Sequence, residues 1–582
     1  MADSSPRTVP ALWQAALAAN RSGPAYLAER DGGWVPVTWQ EAGERVNDLA
    51  NGLLALGIEK GDAFGILAAT CLEWVLFDHA LALVGAVTVP IYATSSPRDV
   101  AYALDHTDAV GVFAENEQQL AKLDEIKADI PRVRHVLTVA DLDDLAARGR
   151  EHAAANPQAL ERATVAIEDD DLYTFIFTSG TTGSPKACMI LHRNAHEMVE
   201  IVHESSTLIE PDDVVLLWLP LAHNFGRLLN LSGLRIGFTI AFCADPNGVA
   251  AAIPQVRPHL LPGVPRIYEK VYSATQAAFD EATGVRRKLI DWSLGVGRRT
   301  SALRQANKPL SPLLALQHRV ASRLVYSKFK ERLGGRIRVA VSGAAPLSVE
   351  IEEFFHALDV LILEGYGLTE CTSAATANRP DKFRFGTVGP AMPRYEAKLA
   401  DDGELLLRSG TIFAGYYKDE AATREVVDAD GWLHTGDVAE IDADGFVKIT
   451  DRKKDIIVTA GGKKIPPQNL ENELKNSKFV SQALVVGDRR PYVAALVTVD
   501  QGALQAAGVS GDTAVHELVQ GIVDGVNDGR TRYEQIKRFT VLPRDFSVDE
   551  GELTPTLKLR RKTAEQHFAE QIDELYEGDS KD

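Results

Sequence analysis

Hydroxyls and glycines crowd into one short run, Thr178-Ser179-Gly180-Thr181-Thr182-Gly183-Ser184-Pro185-Lys186, directly after an apolar, β-prone stretch from Thr174 to Phe177. That combination suits a polyphosphate. Gly180 and Gly183 let the backbone turn so that N–H groups converge on anionic oxygens. Thr178, Ser179, Thr181 and Thr182 add hydroxyl donors, and Lys186 adds a point charge. No Gly-Lys-Ser/Thr closes the run and no helix start follows it, so it is not a Walker A loop. Taken alone, such a run reads sooner as a hydroxyl-rich surface turn.

Other segments carry side chains able to do related work. Val214 to Leu219 reads as a strand ending at Pro220, with His223 just beyond, where a lone histidine is ordinarily structural. Arg338 to Ser342 opens into Gly343-Ala344-Ala345-Pro346, and Val360 to Leu363 opens into Glu364-Gly365-Tyr366-Gly367-Leu368-Thr369-Glu370. Two strand ends delivering small residues and one ring make a base-binding crevice in an open α/β sheet. By itself Tyr366 reads sooner as a packed core ring, and Glu370 could be just a helix-start acid. Asp437 ends Trp432-Leu433-His434-Thr435-Gly436-Asp437, where an aspartate after Thr-Gly is usually a turn residue. Charge clusters at Asp451-Arg452-Lys453-Lys454-Asp455 between apolar strands, as a solvated turn or a hinge. Lys558 sits in Thr554-Pro555-Thr556-Leu557-Lys558-Leu559-Arg560-Arg561, a basic stretch where a lysine is ordinarily just solvated.

In this order the segments resemble the motifs of the adenylate-forming, or AMP-binding, superfamily over almost the whole chain. The resemblance implies that Thr178, Ser179, Gly180, Thr181, Thr182, Gly183 and Lys186 cradle the phosphates of ATP. It implies that Gly343, Ala344, Ala345, Pro346, Tyr366 and Gly367 hold the adenine, with Tyr366 stacked on it. Thr369 then lies near the α-phosphate, Glu370 and Thr181 serve Mg2+, Asp437 takes the ribose hydroxyls and Arg452 reaches the nucleotide. Lys558 matches the catalytic lysine, with Glu370 and Thr369 beside it in the chemistry. Lys454 becomes the pivot of a moving small domain, and Gly461 and Gly462 the loop that approaches the thiol of coenzyme A. His223 closes a Leu-Pro-Leu-Ala-His stretch similar to one bordering the family's acyl pocket. Gly403-Glu404-Leu405 through Gly415-Tyr416-Tyr417 resembles a further signature, read as structural. There are two departures: Ala187 replaces the usual glycine and should alter loop freedom, and Gly226 replaces a larger residue and should widen the mouth of the acyl pocket.

Val264-Pro265-Arg266-Ile267-Tyr268-Glu269-Lys270 resembles the long-chain acyl-CoA synthetase branch, which carries an extended helical insert here. Residues 266–338 hold 16 Lys or Arg against 5 Asp or Glu, a surplus of 11 inside a chain of net charge -19. A solvated helical face is the first explanation, ahead of a patch that meets anionic lipid headgroups. The acidic chain as a whole argues against nucleic acid as a partner. Four scattered cysteines, without metal or redox spacing, point to free thiols in a reducing compartment. The N-terminus lacks a basic segment followed by an apolar core, and the longest apolar run, Ala80 to Val89, is too short to span a bilayer. The expected location is cytoplasmic, with peripheral contact at the inner membrane face and a homodimer both left open.

Apolar runs at Ala63 to Ala69 and Val87 to Tyr92 flank a helical pattern at Leu72 to Val84, and Val110 to Ala114 and Val133 to Val139 extend the alternation. The fold class expected is α/β: a large N-terminal domain of layered subdomains over 1–451, with the basic insert at about 266–338, a hinge at 452–456, and a mobile α+β domain over 457–582. Ala140 to Ile167 reads as a plain connection. The function implied is ATP-dependent ligation of a long-chain fatty acid to coenzyme A through acyl-AMP. The alternatives are a fatty acyl-AMP ligase that loads a carrier protein, and a non-catalytic nucleotide- or acyl-binding regulator.

Overall fold

The computed structural model describes residues 6–178, 185–205, 209–554 and 558–577. Two parallel-rich sheets form its larger part. One has six strands in the order His135–Thr138, Gly111–Ala114, Ala63–Ala68, Val87–Tyr92, Leu172–Thr178 and Lys186–Leu191, parallel except for the last pair. The other has eight, with Leu361–Tyr366, Val339–Ser342, Leu260–Gly263, Val214–Leu217 and Thr239–Phe242 as its parallel centre. Central strands buried on both faces read as continuous apolar runs, and Ala63–Ala68 is buried at every position.

A four-stranded antiparallel sheet from Glu396 to Arg452 closes the large domain. The smaller C-terminal domain is built on Val480–Val486, Val493–Val499 and Ile536–Val541, whose apolar faces pack on the helices Pro467–Lys475 and Asp512–Asn527. The mixed α/β, two-domain expectation therefore holds.

The helix Leu72–Val84 has the bounds that its spacing predicts, and it ends where Gly85 takes φ 76°. Ala140 to Ile167 is not a plain connection: it holds the helices Leu142–Ala155 and Ala159–Val165. Leu142, Leu145, Ala146 and Gly149 recur at helical spacing and are buried. A Cβ at Gly149 would lie 1.9 Å from the Asp48 carbonyl, so this helix crosses Trp39–Ala55 at backbone contact and needs few large apolar residues to do so. The high alanine and aspartate content hid that pattern.

The basic insert is helical. We label its helices α1 (Pro265–Asp280), α2 (Gly284–Gln305) and α3 (Pro312–Ala321); α3 continues through a π-turn, Ser322–Tyr326, into α4 (Ser327–Arg332).

Candidate active site

The hydroxyl-rich run bridges a hairpin. Thr178 and Lys186 are register partners at the ends of Leu172–Thr178 and Lys186–Leu191. Ser179, Gly180, Thr181, Thr182 and Gly183 lie outside the described residues. Ala187 is buried in the second strand, opposite Phe177, so its replacement of glycine affects strand packing and not loop freedom.

Parallel strands bring the other segments to the same place. Val339–Ser342 and Leu361–Tyr366 are neighbours, and their C-terminal ends deliver Gly343-Ala344-Ala345-Pro346 and Tyr366-Gly367 to one wall of a cavity of about 1140 Å³. Ala344 takes φ 71°, a left-handed conformation unusual for a residue with a Cβ. Gly367 is obligatory, since a Cβ there would fall 1.4 Å from the Ser373 carbonyl. The same cavity is lined by Thr178, Lys186, His223, Thr369, Glu370, Asp437, Arg452, Lys454 and Lys558. Its volume lies at the upper end of the roughly 300–1,000 Å³ usual for ligand pockets.

Asp437 and Arg452 face each other across the strands Leu433–Ile441 and Val447–Arg452, with Nε 3.5 Å from Oδ1. Tyr366 donates its hydroxyl to the other oxygen, Oδ2, at 2.5 Å, so the ring is tethered at the edge of the crevice. Burial pushes the Asp437 carboxyl up, and the charge of Arg452 opposes the shift. Lys558 is buried in the cavity. Loss of hydration, then the nearby Arg452, lowers its ammonium to about 8, while Asp437 and Glu370 pull the other way. Burial and Lys558 together lower His223 to about 3, leaving a neutral ring. Its Nδ1 accepts from the Phe225 N–H at 3.2 Å, capping the helix Asn224–Ile236 and putting the proton on Nε2. His223 is thus a helix cap as well as part of the cavity wall.

Gly226 does not widen that wall. A Cβ there would meet the Pro220 carbonyl at 2.6 Å, so the glycine lets the first turn of the helix pack on the backbone behind it. The loop at Gly461 and Gly462 is exposed and does not line the cavity.

Three further groups support the site. Tyr416 donates to Glu370 Oε1 at 2.7 Å, and Lys186 Nζ lies 4.8 Å over the Tyr416 ring. Reading Gly415-Tyr416-Tyr417 as structural therefore missed a residue that orients Glu370; the available signal was a phenol inside a motif. Glu404 accepts from the Gly436 N–H at 2.8 Å and from Lys453 at 3.3 Å, which sets the turn that carries Asp437. Arg266, in the first turn of α1, donates to the Ser481 carbonyl at 3.0 Å and to its hydroxyl at 3.1 Å. That bond joins the large domain to the small one. Lys478 on Asp280 at 2.8 Å and Lys475 near Glu269 at 3.6 Å extend the seam along α1. Together they hold the small domain where Lys558 enters the cavity.

Comparison with known proteins follows the same division. Residues 13–417 match the family described as AMP-binding enzyme, and residues 454–580 match the AMP-binding enzyme C-terminal domain. The chain is 38% identical to long-chain-fatty-acid–CoA ligase FadD15 of Mycobacterium bovis, over 96% of this chain and 95% of the relative. It is 31% identical to the peroxisomal long chain acyl-CoA synthetase 7 of Arabidopsis thaliana, over 95% and 84%. Among solved structures, the adenylation domain of a carboxylate reductase from Mycobacterium chelonae superposes with a TM-score of 0.77 at 25% identity, covering 98% of this chain and 91% of that one. The anthranilate CoA ligase solved with anthranoyl-AMP gives 0.75 at 19% identity, over 96% and 97%, a likeness of fold.

Proposed function

The chain belongs to the AMP-binding enzyme family, and we propose that it is an ATP-dependent long-chain fatty acid:CoA ligase, forming acyl-AMP and then acyl-CoA. The observation that carries this reading is the single cavity in which the buried Lys558, the acids Glu370 and Asp437, the small-residue crevice and an apolar wall meet. Val202, Ile209, Leu228, Leu229 and Val264 contribute to that wall, which suits an alkyl chain. Each buried methylene is worth about 0.8 kcal/mol, so a chain of many carbons is held strongly there.

In the first half-reaction a carboxylate oxygen attacks the α-phosphorus of ATP and the bond to pyrophosphate breaks. Lys558 brings positive charge to the oxygens on which charge develops, and Asp437 holds the ribose so that the α-phosphate meets it. Mg2+ fits Glu370. Tyr416 occupies only one of its oxygens, and the described residues contain no cluster of three or more His, Cys, Asp or Glu that could hold a metal by protein alone. A hard cation would therefore take Glu370, the Thr181 hydroxyl and phosphate oxygens, and would supply charge neutralisation. In the second half-reaction the small domain turns about Lys454, Lys558 withdraws, and the loop at Gly461 and Gly462 faces the incoming thiolate of coenzyme A. Sulfur attacks the acyl carbon and AMP leaves. Two chemistries in one site require such a movement.

The seam along α1 makes this testable. Asp280→Lys is expected to slow acyl-AMP formation roughly threefold, the scale of a half-exposed ion pair, without slowing thioester formation from supplied acyl-AMP. Adding Lys478→Asp should restore the rate. A double variant no faster than the single one would remove this pair from the adenylation arrangement.

Four unpaired cysteines suit a reducing, cytoplasmic setting. Among the described residues, no helix is long and apolar enough to cross a membrane. The function itself is tested by incubating the protein with ATP, magnesium and palmitate, with and without coenzyme A, and quantifying AMP, acyl-AMP and palmitoyl-CoA by mass spectrometry. Palmitoyl-CoA and AMP appearing together only with coenzyme A is the expected result. Acyl-AMP that coenzyme A does not discharge would move the acceptor to a carrier protein, and no product at all would leave a binding protein.

A further inference from the structure

The helices of the basic insert expose an apolar stripe. On α3 and the π-turn that continues it, Leu313 is 67% exposed, Leu316 57%, Val320 42% and Leu324 43%, at spacings that keep them on one side of the helix. The opposite side is well packed, with Leu314, Ala321, Val325 and Tyr326 buried in the main core. A helix held this firmly has no structural need for four large apolar residues in water.

The neighbouring helix adds to the same feature. Arg299 of α2 bonds Gln317 of α3, and the Tyr326 hydroxyl bonds the Ser293 carbonyl at 2.5 Å, so the two helices run antiparallel. This register sets Trp292, 37% exposed, at the level of Leu324.

Charge flanks the stripe. From 284 to 332 the chain carries 12 Lys or Arg and 2 Asp or Glu. Arg304, His318 and Lys330 share Asp359 on the packed side. Arg298, Arg319, Arg323 and Lys328 meet no carboxylate among the described residues, and Arg319 and Arg323 lie along the exposed side with the stripe.

We propose that the exposed face of α3 and its π-turn, with Trp292 of α2, is a docking surface for an anionic lipid bilayer. Leu313, Leu316, Val320 and Leu324 enter the headgroup region while Arg319 and Arg323 meet lipid phosphates. Apolar side chains on one face with arginines beside them match the demands of a bilayer interface. A second copy of the chain fits less well, since a two-fold contact through this face would bring the cationic surplus onto itself. The surface is argued independently of the ligase reading; only its use, to take a fatty acid from the membrane that dissolves it, rests on that reading.

The test is flotation of the full-length protein with vesicles of phosphatidylcholine alone or with added phosphatidylglycerol. Binding only to the phosphatidylglycerol vesicles, weakened by salt, is expected. Leu316→Glu with Val320→Glu should abolish it, and Arg319→Glu with Arg323→Glu should lower it more than about tenfold. Lys127→Glu with Arg148→Glu, the same charge change on exposed residues elsewhere, should leave it nearly intact. Palmitoyl-CoA formation in vesicle-free solution, followed for every variant, separates loss of the surface from failure of the ligase reading or of folding. The proposal is overturned if the protein ignores phosphatidylglycerol vesicles, or if the elsewhere-charge variant loses binding as much as the stripe variant. It is overturned equally if sedimentation shows a dimer that Leu316→Glu with Val320→Glu dissociates.

Discussion

Lys558→Ala is expected to lower acyl-AMP formation by about 10²-fold or more, the usual effect of removing one preorganised donor from a developing negative charge. The thioester half-reaction, started from supplied acyl-AMP, should be nearly unchanged, because the proposed mechanism withdraws Lys558 before the thiol attacks. The pH dependence sharpens the expectation. Burial and Arg452 hold the ammonium down at about 8, and the proposed role needs the charged form. The kcat/KM of the first half-reaction should therefore fall as pH rises through about 8 in the free enzyme. Lys558→Arg keeps its charge at any such pH, so it should lose rate through altered geometry but also lose that descending limb. Rapid-quench measurement of pyrophosphate release from pH 6 to 10 tests all three. Equal loss of both half-reactions in the alanine variant, or a limb that survives in the arginine variant, would take this role from Lys558.

The motif order made the site legible. Thr369-Glu370, Asp437, Arg452 and Lys558 come from separate parts of the sequence yet line one cavity, and for Lys558 it was the order of the motifs, not any local signal, that singled it out. What could not be read were contacts made between elements. No local pattern says that the Tyr416 hydroxyl reaches Glu370, or that Gly226 is a glycine because the Pro220 carbonyl lies behind it. Apolar periodicity located Leu72–Val84 to the residue and failed at Leu142–Ala155, where a helix crosses its neighbour through Gly149 and so lacks the bulky stripe that marks a buried face. The insert divides likewise: its charge was countable, but the stripe from Leu313 to Leu324 emerged only once burial separated it from Leu314 and Val325.

Arg227 is the largest of these omissions, and its removal should have the largest effect on stability. It follows Gly226 without local distinction, yet its side chain is only 4% exposed and donates to both oxygens of Asp78, at 2.7 and 2.9 Å, and to the Thr174 hydroxyl at 2.6 Å. Tyr173 and Thr88 donate to the same carboxylate, each at 2.7 Å, and Arg227 lies 4.6 Å over the Tyr173 ring. Arg227→Met would leave Asp78 charged and buried without its cation, a change that costs about 3–5 kcal/mol. Urea unfolding should show that loss, and Arg227→Met with Asp78→Leu should recover part of it, since a pair replaced by apolar groups leaves no orphaned charge. The consequence reaches the chemistry. Tyr173 and Thr174 lie on the strand that ends at Thr178, the start of the phosphate run, while Arg227 lies on the helix that begins at the cavity wall beside His223. One guanidinium therefore ties the strand that leads to the hydroxyl-rich run to the helix beside His223, the two walls that the proposed function gives to nucleotide and acyl chain. The single variant, assayed at a temperature where it stays folded, should raise the KM for ATP and for palmitate together. A variant destabilised by less than about 1 kcal/mol, or with both KM values unchanged, would show that the two walls are positioned by other contacts.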